Sequence, residues 1–151
     1  MIDLHTHVLY GVDDGAQNTE ESIEMLRMYT ESGYTDIVIT PHHDPNRYEV
    51  SAKTVQDGVI LLERLLERTS LELNIFPGHE IQLQAKTVEM LKEGVVLPLN
   101  DSRYVLIELP FRNKPYYARE LLYRIQLEGF VPFFLGQEYV ESSACSTFCL
   151  H

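Results

Sequence analysis

Four short apolar runs of this chain, Ile2–Leu4, Ile37–Thr40, Leu73–Phe76 and Tyr104–Leu109, recur along it, and each leads into or carries histidine or glutamate. The first three run into His5-Thr6-His7, Pro41-His42-His43 and His79-Glu80, and the fourth carries Glu108 ahead of Pro110. All are too short for helices and read as buried strands, and Phe130–Leu135 reads as a fifth. Between them lie helical stretches. Asn18 with Glu21 has capping-box spacing and opens a helix whose inner face is Ile23, Leu26 and Tyr29, ended by Gly33. Ser51 caps a second, with Val55, Val59, Leu62 and Leu66 on one stripe. A short third carries Val88 and Leu91 and stops at Gly94; a fourth carries Leu121, Leu122 and Ile125 and stops at Gly129. Strand and helix in strict alternation require an α/β fold with a parallel sheet and right-handed crossovers. An open doubly wound sheet collects polar residues at one switch point, whereas a barrel collects them from the carboxyl ends of several strands. Four successive polar strand ends favour the barrel.

The chain has 151 residues, enough for one domain with a real core. Its formal charge of −11 leaves no basic stripe for phosphates, so a nucleic-acid partner is not expected. No long apolar run is present, so no membrane insertion is expected, and without a signal-peptide pattern the expected location is cytoplasmic. Cys145 and Cys149 are the only cysteines, and a lone C-x-x-x-C pair is a weak metal signal.

Along a strand His5 and His7 point to one face, where two neutral imidazoles can chelate a cation. A lone strand-end histidine is more often a hydrogen-bonded surface residue than a ligand, and His43 and His79 are expected to be no more than that. Glu108 sits in the otherwise apolar VLIELP, where a carboxylate is costly unless it meets a cation. H-x-H, a further histidine and two strand-end glutamates together point to a metal site. Imidazole and carboxylate without thiolate suit Mn²⁺, Fe or Zn²⁺, with Co²⁺ a further alternative. Several carboxylates suggest more than one ion, the usual equipment for hydrolysing phosphate esters.

MIDLHTHVLYGVDDGA, ITPHH, PGHE and LNDSRYVLIELPF, with their spacing, make the chain similar to the bacterial PHP-type protein-tyrosine phosphatases. This branch of the polymerase-and-histidinol-phosphatase superfamily comprises manganese-dependent enzymes that regulate capsular and exopolysaccharide synthesis. The resemblance implies a distorted (β/α)₇ barrel with two to three metal ions. It makes His5, His7, His42, Glu80 and Glu108 metal ligands and Asp14 a further acidic residue of the site, with Asp14 and Glu108 serving catalysis. The implied substrate is the phosphotyrosine tail of a bacterial tyrosine kinase, attacked by metal-activated water without a phosphocysteine. The chain indeed lacks the C-x₅-R loop of cysteine-based phosphatases.

The resemblance stops after FVPFFL. Where the family has His-Pro-Glu-Arg, this chain reads Gly136-Gln137-Glu138-Tyr139, and the family's two further strands, Asp-x-His pair and second Arg have no counterpart. The expectation is therefore a partial PHP domain of about five βα units over 1–135, with 136–151 a divergent, disordered tail, as a frameshift would produce. An exposed barrel edge then favours self-association. Activity is expected to be weak or lost, since one electrostatic stabiliser alone is worth about 10²–10³ in rate. Two other outcomes stay open, a catalytically dead kinase-binding remnant and a phosphoesterase for small phosphate esters.

Overall fold

A computed structural model of the chain describes residues 1–109 and 116–134. The tail, both cysteines and Gly136–Tyr139 lie outside the described residues. In chain order the elements are β1 (Ile2–Thr6), α1 (Thr19–Glu31), β2 (Asp36–Ile39), β3 (His42–Asp44), β4 (Tyr48–Glu49) and α2 (Ala52–Leu66). They continue with β5 (Asn74–Pro77), β6 (Glu80–Gln82), α3 (Thr87–Lys92), a 3₁₀ turn (Leu99–Asp101), β7 (Tyr104–Glu108), α4 (Ala118–Leu127) and β8 (Val131–Phe133).

Local chemistry sets the helix ends. Asn18 accepts the Glu21 amide, while the Glu21 carboxylate accepts the amide of Gln17, one residue earlier than in the usual box. Ser51 accepts the Thr54 amide at the start of α2. Gly33, Gly94 and Gly129, all at positive φ, follow α1, α3 and α4 as expected.

The expected strands Ile37–Thr40 and Leu73–Phe76 form β2 and β5, and each is followed, after a break, by a further short strand that was not expected, β3 and β6. Pro41 separates β2 from β3, and Gly78-His79 separates β5 from β6. The ladder passes from β1 through β2 to β5 below the breaks, and from β3 through β6 and β7 to β8 above them, parallel throughout. Hydrogen bonds from Thr40 N to Thr6 O and from Glu80 N to Pro41 O carry it across the breaks. The lanes therefore lie side by side in chain order: β1, β2–β3, β5–β6, β7, β8. A doubly wound sheet reverses its order at a switch point. This one does not, and unbroken chain order is the wall of a βα barrel. The described residues hold four βα units and a fifth strand.

Alternation along the strands sorts the core into two layers. Ile37, Ile39 and Ile75 turn outward against Leu26 of α1 and Val59, Leu62 and Leu66 of α2. Ile81, Val105 and Ile107 meet Val88 and Leu91 of α3 and Leu121 and Ile125 of α4. Val38 and Leu106 turn the other way, with Phe76 and Phe133, into the barrel interior. Ile23 is only half buried; Ser22 takes its place on the inner face of α1, donating to Val8 O. The first strand departs further from expectation: Ile2 is 66% and Leu4 45% exposed. β1 is an edge, and nothing among the described residues covers that flank.

His43 and His79 are hydrogen-bonded as expected, but they are buried in the core rather than at the surface. His79 Nδ1 accepts the Leu97 amide, so its Nε2–H must donate to Val50 O, which also accepts His43 Nδ1–H. Burial, aided by the neighbouring His43, pushes the His79 imidazole down to about 4. A depressed folded value means that stability is complete above the unfolded value of about 6.5 and is lost as pH falls toward 4, up to about 3 kcal/mol. In chelator, the urea midpoint should fall over that window. His79→Gln, which cannot titrate, should flatten the slope there; an unchanged slope would remove His79 as its cause.

Candidate metal centre

The carboxyl ends of β1, β3, β6 and β7 meet at one mouth. A one-residue bulge in β1, between Asp3 and Thr6, re-aims His5. Thr6 is buried, its hydroxyl donating to Val38 O and its amide to Thr40 Oγ1, while His5 and His7 both reach the mouth. Register supplies the next pair: His42 lies opposite Glu80 on β3 and β6. Glu108, two residues beyond inward-facing Leu106, turns to the same side.

Glu80 is the centre of the cluster. Its Oε2 lies 2.9 Å from His5 Nε2, 3.4 Å from His7 Nε2 and 3.2 Å from His42 Nδ1. His5 Nε2 and His7 Nε2 are 2.9 Å apart. His42 Nδ1 also lies 3.5 Å from Glu108, and its Nε2 lies 3.5 Å from Asp14. Two ligands on one cation at about 2.1 Å stand about 3 Å apart, so these contacts have the edge lengths of a coordination polyhedron. Three overlapping sets can each hold an ion: His5, His7 and Glu80; His42, Glu80 and Glu108; and His7, Asp14 and His42. All six residues singled out in the sequence are brought together.

The electrostatics fit the same conclusion. Asp13, Asp14, Glu80 and Glu108 pair only with imidazoles, and among the described residues no lysine or arginine pairs with any of them. Burial opposes the Glu80 charge, but His5 and His7 hold its carboxyl down to about 2. Burial likewise opposes a charged His7, yet Asp13 and Glu80 raise it to about 9. Glu108 raises His42, against burial. At His7 and His42 the carboxylates thus favour positive charge despite burial.

Asp13 is the residue that sequence reasoning passed over in favour of Asp14. Its side chain is fully buried, accepting from His7 Nδ1 at 2.7 Å, Gly15 N at 3.0 Å and His42 N at 3.0 Å. The available signal was Asp-x-Gly, the spacing of an Asx turn.

Residues 1–141 match the family described as capsular polysaccharide synthesis, CpsB/CapC. The chain belongs to this family. It is 38% identical over 132 residues to the tyrosine-protein phosphatase YwqE of Bacillus subtilis and to the putative tyrosine-protein phosphatase CapC of Staphylococcus aureus. It is 30% identical to the tyrosine-protein phosphatase CpsB of Streptococcus pneumoniae. The first two alignments cover 87% of this chain and 52% of each relative, the third 54%. The chain thus spans about half the length of the curated relatives it matches. Among solved structures it is similar, with a TM-score of 0.85 and 37% identity, to one described as YwqE from Bacillus subtilis and CpsB from Streptococcus pneumoniae, unique metal-dependent tyrosine phosphatases. That match covers 89% of this chain and 54% of the other.

If His7 is a ligand, cation binding has to displace its proton. Mn²⁺ affinity should rise as pH increases from about 6.5 toward 9, by up to tenfold per pH unit for each proton released. Calorimetry in buffers of different ionisation enthalpy counts those protons. A pH-independent affinity would mean that His7 is not a ligand.

Proposed function

We propose that this site serves metal-dependent hydrolysis of phosphotyrosine in proteins, with Mn²⁺ as the preferred ion. The observation that carries the reading is the Glu80 oxygen shared among three imidazoles, flanked by Glu108 and Asp14. The named relatives, tyrosine-protein phosphatases, point the same way. His5, His7, His42, Glu80 and Glu108 would hold the ions, with Glu80 serving neighbouring positions at once. Bound cations of this class supply an activated water and neutralise the phosphoryl oxygens.

The chain's own residues supply the rest. Buried Glu80 keeps its charge and fixes the spacing of the histidines around it. Asp14, more than half exposed and 3.5 Å from His42, would carry at its Oδ1 the proton required by the departing phenolate. Glu108 orients His42 from the other side. Tyr48 lies parallel to the His42 ring, with centroids 5.9 Å apart, and gives the mouth an aromatic wall. We assign as substrate the phosphotyrosine tail of a bacterial tyrosine kinase controlling capsule or exopolysaccharide synthesis, met in the cytoplasm. Residues 1–135 would form the phosphatase domain and 136–151 a divergent tail.

Turnover by this chain should be slow, because Gly136 and Tyr139 replace the histidine and arginine the family carries there. Hydrolysis of a phosphotyrosyl peptide, with Mn²⁺ raised from zero, tests the reading. Mn²⁺-dependent release of phosphate, faster than from sugar phosphates, is expected. Glu80→Gln should cost at least about 10²-fold together with metal content, and Asp14→Asn a similar factor with metal retained. A folded, Mn²⁺-loaded chain that cleaves no phosphotyrosine, or prefers sugar phosphates, would sink the proposal.

A further inference from the structure

The loop between β1 and α1 begins with His7 and returns through Asp13 to contact both that histidine and the first residue of β3. We propose that Asp13 is a positioning residue that fixes His7 for ligation through Nε2 and ties β1 to β3. The inference rests on the metal-centre reading, and it concerns how the centre is kept in shape.

His7 has two ring nitrogens, and only one faces the cluster. Nε2 points to His5 and Glu80, and Nδ1 points away, to Asp13 Oδ2 at 2.7 Å. A carboxylate can only accept, so the proton of a neutral His7 must reside on Nδ1. The lone pair of Nε2 is then directed at the cluster. Orientation of this kind by an outer carboxylate typically matters 10–100-fold in metal affinity.

The same Oδ2 accepts the His42 backbone amide at 3.0 Å. One oxygen thus holds the His7 ring and the first residue of β3, 35 positions apart in sequence, at a fixed separation. This matters because Pro41, just before His42, carries no amide for the ladder. Asp13 Oδ1 is used inward, accepting the Gly15 amide and closing the turn on itself.

Gly15 explains how the turn gets close enough. A Cβ there would lie 2.2 Å from His7 O and 2.5 Å from His7 Cβ. The turn lies flat against His7, and Ala16 N donates to the His7 carbonyl at 3.1 Å. Within Asp13-Asp14-Gly15 the three residues divide the work. Asp13 holds two strands from beneath, Asp14 faces the mouth, and Gly15 permits the contact.

The test is metal binding, independent of any substrate. Mn²⁺ affinity is measured by calorimetry for the wild type, Asp13→Asn and Asp13→Ala, with thermal melts in chelator to confirm folding. Both variants should bind 10–100-fold more weakly. Imidazole nitrogen NMR of the Zn²⁺-loaded wild type should show His7 bound through Nε2 with its proton on Nδ1. In Asp13→Asn the two tautomers should mix, a change that a purely structural role would not produce. Unchanged affinity in a folded variant, or Nδ1 ligation in the wild type, overturns the role. Should the variants fail to fold, the wild-type spectrum decides by itself. A wild-type chain that holds no cation overturns the metal reading and this role together, whereas intact metal binding without phosphatase activity leaves this role standing and removes only the activity.

Discussion

The parallel ladder survives two places where it ought to fail. Proline has no amide to give it, and Gly78-His79 bends out of strand geometry, yet Thr40 to Thr6 and Glu80 to Pro41 hydrogen bonds continue the pairing. Everything at the mouth depends on this. Had β2 and β3 been one straight strand, alternation alone would have directed His42 and His43. The break keeps that parity: His42, four residues beyond inward-facing Val38, faces the cluster, and His43, four beyond outward-facing Ile39, goes into the core with His79. Gly78 has its own reason: a Cβ there would come 2.8 Å from Leu99 and 3.1 Å from Val38 in the barrel interior. The second break is thus built from a residue whose lack of side chain lets interior atoms close over it, followed by one held by the Val50 carbonyl.

The two histidine pairs show how one residue type serves opposite ends. His43 and His79 share a backbone carbonyl in the interior, where burial favours the neutral ring of His79. His7 and His42 stand among carboxylates at a half-open mouth, where those carboxylates favour the charged ring despite burial. In the first arrangement both N–H donors meet Val50 O, and His79 Nδ1 accepts the Leu97 amide. The second arrangement differs. Two imidazole nitrogens at 2.9 Å, each also near a carboxylate oxygen, are satisfied by protons only in part, and a cation would satisfy them all.

Much of this was legible in the sequence because periodicity and polarity spoke together. The stripe Val55, Val59, Leu62, Leu66 is buried as read, and the five apolar runs all became lanes of one wall. Five of the six site residues were identifiable because each sat at the end of an apolar strand or just beyond it, whereas Asp14 was indicated only by the family resemblance of GVDDGA. Three features were not legible. The breaks at Pro41 and Gly78 were hidden because a short apolar run looks the same whether the strand ends or bends after it. The exposure of Ile2 and Leu4 depends on what packs over an edge, which no local pattern encodes. Asp13 was hidden by its neighbour: of two adjacent aspartates, the sequence cannot say which turns inward.

That last ambiguity has a physical resolution. Of two consecutive side chains in a tight turn, only one can close an Asx hydrogen bond to the amide two residues on, and doing so draws its carboxylate toward the backbone. Asp13 takes that role because Gly15 offers both an unobstructed amide and room to lie on His7. Asp14, whose own position two residues on is Ala16, finds that amide already committed to the His7 carbonyl and so is left to the solvent side. Once the turn is set against β1, the buried carboxylate meets the two groups that need an acceptor there, the His7 Nδ1–H and the His42 amide. The exposed one is left facing His42 Nε2. Inner support and outer chemistry at this mouth therefore follow from a single choice of hydrogen bond in a three-residue turn.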